Sequence, residues 1–182
     1  MKFLLKLLFL LLSLVAIVLI VGLFIDGKFS VKRSITINQP QEVVFDYISS
    51  LNNQQEYGVW HKKDPTIKIT TKGTDGTVGY ISAWESSQED IGKGEQEITH
   101  IVYNKRIDTE IRFKEPMNGT CQASIIVERD TNNSSTVTWI MKGESTYPYN
   151  ILALFMNVDK EIGPDLENGL NNLKDILESQ NN

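Results

Sequence analysis

Cysteine, histidine and positive charge are all scarce in this sequence of 182 residues. The one cysteine, Cys121, excludes an intrachain disulfide and a thiolate metal cluster. The two histidines, His61 and His100, lie on different predicted elements without the spacing of metal ligands, so we expect no metal and no cofactor. Lysine and arginine together number 18 against 23 acidic residues, a formal net charge of −5. This deficit of positive charge argues against nucleic acid as a partner, because proteins bind the phosphate backbone through clustered basic side chains.

Recognisable catalytic motifs are missing as well. No nucleophile elbow accompanies the many serines and threonines. Gly73, Gly76 and Gly79 have the wrong spacing for a dinucleotide fingerprint, and tight β-turns explain them better. The charged residues between Arg106 and Arg112 alternate with uncharged ones, which predicts that they share one solvated face of a sheet. We therefore predict no catalytic residue.

One long hydrophobic run is present, at the N-terminus. From Leu7 to Ile25 the chain carries no charge. As a helix with a rise of about 1.5 Å per residue, this run covers roughly the 30 Å of a bilayer's hydrocarbon core. It is longer than the apolar region of a secretory signal, and no small-x-small cleavage site follows it. The sequence therefore predicts an uncleaved, single-pass membrane anchor through residues 7–25 rather than a signal peptide.

Charges beside the run bear on its orientation. Two lysines precede it, and Lys28, Lys32 and Arg33 follow it, so the positive-inside rule gives almost no bias. The short basic N-terminal tail favours an inside N-terminus, which would place the domain on the extracytoplasmic side. The anchor and its linker, residues 1–28, are followed directly by the predicted domain, residues 29–182. This short linker predicts a domain that lies close to the bilayer surface.

Alternating apolar and polar residues predict that the domain is rich in strands. A first strand over 29–37 is followed by a short amphipathic helix over 40–51 and by a polar stretch, 52–60, that is either a second short helix or a loop. Six further strands follow, around 67–69 and over 80–85, 92–103, 106–113, 120–128 and 136–143. On the last strand the alternation directs Val137, Trp139 and Met141 to one side.

The chain ends in a predicted amphipathic helix. Its leucines are spaced by four, three and four residues and form one apolar stripe: Leu166, Leu170, Leu173 and Leu177. The upstream segment 150–162 also has a helical pattern, and Gly163-Pro164 is expected to break or kink the helix between the two parts. One long helix is thus available to cover the apolar face of a curved antiparallel sheet, which is an α+β arrangement.

Several short sequence segments, taken in their order along the chain, resemble the START-like superfamily, also called SRPBCC or helix-grip. They are Arg33 to Pro40 leading into Glu42 to Tyr47, Asp64-Pro65-Thr66, the three turn glycines, Val137-Thr138-Trp139, Leu154-Phe155-Met156, and Asp159-Lys160 with Ile162-Gly163. The chain is most similar to the membrane-anchored polyketide cyclase/dehydrase-like branch, although it has one tryptophan, Trp60, before Asp64 where that branch often has two or three. The resemblance implies about seven strands wrapped around the C-terminal helix, with an apolar cavity between them for a hydrophobic ligand. The resemblance does not assign a set of catalytic residues to positions in this chain.

Aromatic and methionine side chains are the candidate ligand contacts, because small-molecule pockets are lined mainly by such groups. The candidates are Trp60, Trp84, Phe113, Trp139, Met141, Phe155 and Met156. The alternative for each is that it simply fills the core. Phe155 and Met156 are placed where they could close the mouth of the cavity.

Three functions remain open from the sequence. The first is membrane-tethered binding of a hydrophobic small molecule or lipid without chemistry. The second is a cyclase or dehydratase, which requires a polar residue with a perturbed pKa inside the cavity. The third is a protein-interaction module like the chaperone activators of the superfamily, which requires a filled core and a broad exposed apolar patch. No feature of the sequence predicts an oligomeric state.

Overall fold

The computed structural model describes residues 2–179, apart from the side chains at positions 152 and 153. The helices are α1 (Lys2–Gly22), α2 (Gln41–Ile48), α3 (Leu51–Tyr57), α4 (Val59–Lys63), a 3-10 helix (Tyr149–Leu154) and α5 (Val158–Ser179). The strands are β1 (Lys28–Ile37), β2 (Lys68–Lys72), β3 (Ile81–Glu85), β4 (Lys93–Val102), β5 (Arg106–Glu115), β6 (Gly119–Thr131) and β7 (Ser134–Glu144). The division into an anchor (1–28) and a domain (29–182) stays a prediction, and Met1 and residues 180–182 lie outside the described residues.

The strands form one antiparallel sheet in the order β1-β7-β6-β5-β4-β3-β2. The predicted helix-grip arrangement is confirmed: seven strands curve around the long helix α5, and α1 precedes them. The first and last strands are neighbours, with Lys28 opposite Glu144 at one end and Ile37 opposite Ser135 at the other. This register places the start of β1, which follows α1, and the end of β7 at the same end of the sheet.

The core lies between the sheet and α5. All four leucines of the predicted stripe are buried, against inward-facing strand residues such as Val31, Ile98 and Val137. Gly169 allows α5 to pack closely on β7, because a Cβ there would lie 2.8 Å from Cζ3 of Trp139. The sequence pattern predicted both the leucine stripe of α5 and the inward-facing side of the strands, because each depends only on the periodicity of residues close together in the chain.

Helix α5 continues through Pro164, so of the predicted break or kink the break is wrong. An ion pair holds the first turns of this helix on β1: Nη1 of Arg33 lies 2.8 Å from Oδ1 of Asp159. Gly163 leaves room for the same guanidinium, since a Cβ there would collide with Nη2 of Arg33. Proline in a helix interior costs about 3 kcal/mol, and burial of the four leucines that follow offsets this cost because each buried leucine stabilises by roughly 1.5–3 kcal/mol. Upstream, the 3-10 helix ends at Leu154 and α5 begins only at Val158.

The predicted first helix also ends earlier than expected, at Ile48 rather than residue 51. Ser50 interrupts it by capping the next helix: its Oγ accepts a hydrogen bond from the Asn53 amide at 3.1 Å. The polar stretch that follows is helical, as α3 and α4, which resolves the alternative left open by the sequence.

Helix α1 is long and apolar enough to cross a membrane. Its side chains are exposed along its whole length, and Gly22 alone among its residues is buried. Apart from its C-terminal end, which contacts the 3-10 helix, this apolar helix of 21 residues is exposed, and its length and composition are consistent with the predicted anchor.

Candidate functional site

A cavity of about 260 Å³ lies between the sheet and the first turns of α5. Five of the seven predicted contact residues line it: Trp60, Trp84, Phe113, Trp139 and Met141. Small-molecule sites commonly occupy roughly 300–1,000 Å³. The cavity therefore suits a ligand smaller than a drug-sized molecule.

The cavity walls follow from strand alternation. Trp139 and Met141 point inward from β7, and Ile111 and Phe113 point inward from β5. Trp84 at the end of β3 is held by a hydrogen bond from its Nε1 to the carbonyl of Ile91, at 3.2 Å.

The aromatic rings of the wall pack edge to face. The centroids of Trp60 and Trp139 lie 6.1 Å apart at an interplanar angle of 83°, and those of Trp84 and Phe113 lie 5.9 Å apart at 78°. Such pairs stabilise by about 0.5–1.5 kcal/mol beyond burial alone. The wall is thus ordered by contacts between its own members.

Two glutamines at the bottom of the cavity were missed by the sequence analysis. Nε2 of Gln96 donates to Oε1 of Gln54 at 3.1 Å and to Oγ1 of Thr109 at 3.0 Å. Both glutamines also line a deeper void of about 10 Å³, roughly the size that one water occupies. The alternation that turned Glu95 and Glu97 outward on β4 also turns Gln96 inward, so this residue was predictable. Gln54 was not, because α3 is too short to show a pattern.

Unpartnered polar atoms surround the same space. Among the described residues, Trp139 Nε1, His61 Nδ1 and Tyr57 Oη are buried without a hydrogen-bond partner. Trp139 and His61 line the cavity, and the Tyr57 ring lies 5.9 Å from that of Trp139. Because the Cε3–Cζ3 edge of Trp139 faces Gly169, its N–H on the opposite edge points away from α5. Burial raises the pKa of Tyr57 above its ordinary value, so its hydroxyl remains a neutral donor.

His61 and Asp90 are the titratable side chains that line the cavity, and His61 supplies an imidazole. Burial lowers its pKa below the usual 6.5, so the imidazole is neutral at pH 7 and can accept a proton or a hydrogen bond. Cys121 is no nucleophile, because burial raises its pKa to about 12. No group of three or more His, Cys, Asp or Glu side chains that could hold a metal occurs among residues 2–179.

The lowered pKa of His61 predicts a pH-dependent stability. As the pH falls below 6.5, the unfolded chain binds a proton at this site before the folded protein does, so the free energy of unfolding decreases. We expect His61→Gln to reduce this decrease between pH 7 and about pH 5.5, above the range where carboxylates dominate. Chemical unfolding at a series of pH values measures this pH dependence of the free energy of unfolding. His100→Gln on the outer face is the matched control, and equal slopes for wild type and His61→Gln would contradict the prediction.

The other two predicted contact residues, Phe155 and Met156, do not line this cavity. They lie on a separate groove of about 720 Å³ together with Phe29, Tyr149 and Val158. Both are exposed, Phe155 at 80 %. The 3-10 helix that precedes them packs on the end of α1, so the two residues lie near the end of that helix.

Residues 28–178 match the family described as polyketide cyclase / dehydrase and lipid transport. The chain belongs to this family. The match spans the whole sheet and α5 as far as residue 178, so it includes every residue that lines the cavity. Among curated protein sequences there is no match.

Solved structures share the fold of this family member at low sequence identity. Norcoclaurine synthase from Thalictrum flavum, in complex with dopamine and hydroxybenzaldehyde, is 10% identical with a TM-score of 0.63, over 88% of this chain and 92% of that chain. A protein from Nitrosospira multiformis is 16% identical with a TM-score of 0.58, over 84% and 99%. A protein from Arthrobacter aurescens is 18% identical with a TM-score of 0.56, over 85% and 87%. These similarities concern the fold.

Proposed function

We propose that this protein binds a small, mainly apolar molecule that carries a hydrogen-bond acceptor, in the cavity beside α5 and without chemical conversion. The observation that carries the proposal is an aromatic cavity with Trp139 in its wall, a residue whose buried N–H has no acceptor among the described residues. A buried donor without a partner costs about 1–3 kcal/mol. A ligand oxygen at this position removes that cost, while the rings around it bury the apolar part of the ligand.

The size of the cavity narrows the ligand class. About 260 Å³ is too little for a whole phospholipid, and it suits one small ring system or a short segment of an acyl chain. The norcoclaurine synthase structure contains dopamine and hydroxybenzaldehyde, which are small aromatic molecules with polar groups. We propose that the cavity of this protein binds small aromatic molecules with polar groups.

We further propose that α1 tethers this binding domain to a membrane as a single-pass anchor, with the domain on the extracytoplasmic side. Apolar molecules concentrate in bilayers, and tethering keeps the cavity at high effective concentration beside them. The 21-residue apolar helix supports the tether.

A second candidate function is an enzyme of the cyclase or dehydratase type. The observation that favours it is His61, a neutral imidazole in the cavity whose Nδ1 has no partner among the described residues. General-base catalysis needs such a group within hydrogen-bond reach of the proton it removes. His61→Gln separates the two functions: a binding protein retains its ligand, whereas an enzyme loses turnover. The open cavity argues against an interaction module, which would have a filled core.

Native mass spectrometry of the full-length protein, released from detergent, tests the binding proposal. We expect a co-purifying small molecule that is identified after extraction. Protein that is ligand-free from detergent and from nanodiscs, and that takes up no 2-naphthol, would contradict it. The probe 2-naphthol has two fused rings and one hydroxyl, which matches the proposed ligand class.

A further inference from the structure

We propose that six exposed side chains beside the anchor form a bilayer-docking surface that turns the cavity toward the lipid. This docking surface consists of Met117, Tyr147, Tyr149, Leu154, Phe155 and Met156. The inference rests on the proposed membrane anchor and goes beyond it, because a flexible tether alone would leave the domain free to rotate above the bilayer. Its partner is the interfacial region of a lipid bilayer.

The first observation is that the domain is joined to the end of α1 by a buried side chain. Nδ2 of Asn150 donates to the carbonyl of Gly22 at 2.7 Å and to that of Ile25 at 2.9 Å. The last carbonyls of a helix have no partner within the helix, and lipid supplies none. Asn150 therefore satisfies carbonyls at the point where α1 meets the membrane interface, and it fixes the 3-10 helix there.

The second observation concerns depth in the bilayer. A Cβ at Gly22 would lie 2.5 Å from Cγ1 of Ile151 and 3.4 Å from Cε2 of Tyr147, so the glycine allows both side chains to contact the helix. Gly22 is the last residue of α1, and it lies only three residues before Ile25, where the uncharged run ends. The side chains that contact Gly22 thus lie near the boundary between hydrocarbon and headgroups.

The third observation is the chemistry of the surface. Large apolar side chains are exposed around this point and most of them line one groove, and exposed patches of this kind mark interaction sites. Tyrosines such as Tyr147 and Tyr149 are typical of the membrane–water interface, where the ring is apolar and the hydroxyl remains wet. Continuity with the anchor identifies the bilayer, rather than another protein, as the partner.

The cavity lies at the same end of the fold. Its wall residues Phe113 and Met141 are two and three residues from the ends of β5 and β7, and β7 ends opposite the start of β1. Along α5, Ile162 lines the cavity and Val158, one turn earlier, lines the groove behind the docking surface. The groove and the cavity therefore border neighbouring turns of α5, which places the cavity near the side of the domain that carries the docking surface.

Nitroxide labels on the full-length protein in phosphatidylcholine vesicles test this surface. A label at Phe155→Cys is compared with one at Asn132→Cys, in the β6–β7 turn at the opposite end of the sheet. Cys121 is buried and does not compete for the label. We expect collisions with lipid-dissolved oxygen to be several-fold more frequent at position 155, and collisions with a water-soluble nickel chelate several-fold less frequent. Equal accessibility at the two positions would overturn the proposal.

A second variant tests the role of Asn150. We expect Asn150→Ala to raise the nickel accessibility of the label at position 155 several-fold while the protein stays in the vesicles. Asn172→Ala is the matched control, because Nδ2 of Asn172 also donates to a backbone carbonyl, that of Tyr57, but far from the anchor. No change in Asn150→Ala would contradict the orienting role. If the labels at positions 155 and 132 are equally accessible but the protein still binds 2-naphthol, only the docking surface is rejected. If the protein does not remain with the vesicles, the proposed membrane anchor is rejected as well.

Discussion

Replacement of Trp139 by alanine is expected to lower the free energy of unfolding by about 3–5 kcal/mol. Trp139 is among the largest fully enclosed side chains of the core, at 2% exposure, and it contacts Gly169 of α5 as well as the rings of Tyr57 and Trp60. Natural domains have a net stability of about 5–15 kcal/mol, so the loss is a large fraction of the total. Chemical unfolding of the full-length protein in detergent, followed by circular dichroism, measures it.

Trp84→Ala is the matched control for this prediction. Trp84 lines the same cavity but is only half-buried, so we expect a smaller loss. The void left at Trp139 would join the cavity with the deeper space beside Gln54 and Gln96, since Trp139 lines both. Added indole should therefore restore part of the stability of Trp139→Ala by mass action. Equal losses in the two variants would contradict the central packing role of Trp139.

Replacement of Ile111 by tryptophan is expected to reduce ligand binding ~10-fold or more, which corresponds to at least about 1.4 kcal/mol. Ile111 lines the cavity from β5, and a larger ring at this position would occupy space that the ligand needs. The measurement is the amount of co-purifying ligand, or of bound 2-naphthol, per mole of folded full-length protein.

Ile126→Trp provides the control for this second prediction. Ile126 is also half-buried, but it lies on β6 with the opposite orientation, between the inward-facing Ile125 and Val127. It therefore carries the same change in volume on the outer face of the sheet. We expect wild-type binding in Ile126→Trp. Retained binding in folded Ile111→Trp would argue that the ligand occupies another site.

Local patterns in the sequence account for most of the cavity wall. Alternation on β5 and β7 was sufficient to turn Phe113, Trp139 and Met141 inward, because side-chain direction in a strand has a period of two residues. The same rule applied to β4 would have found Gln96. Gln54 and His61 lie on helices of seven and five residues, α3 and α4, which are too short for a helical period to identify their buried face.

The sequence by itself determined the apolar helix, the strands, the leucine stripe of α5 and the family resemblance, because each depends on residues close together along the chain. Tertiary structure decided which aromatic residues share one space. It placed Phe155 and Met156 on the groove near the end of α1, and it carried α5 through Pro164 because Arg33 holds the first turn. It also brought Asn150 to the end of α1, across a separation of 128 residues. Contacts of this kind form only when β1 pairs with β7, which brings distant parts of the chain together. A periodic pattern within one segment therefore cannot predict them.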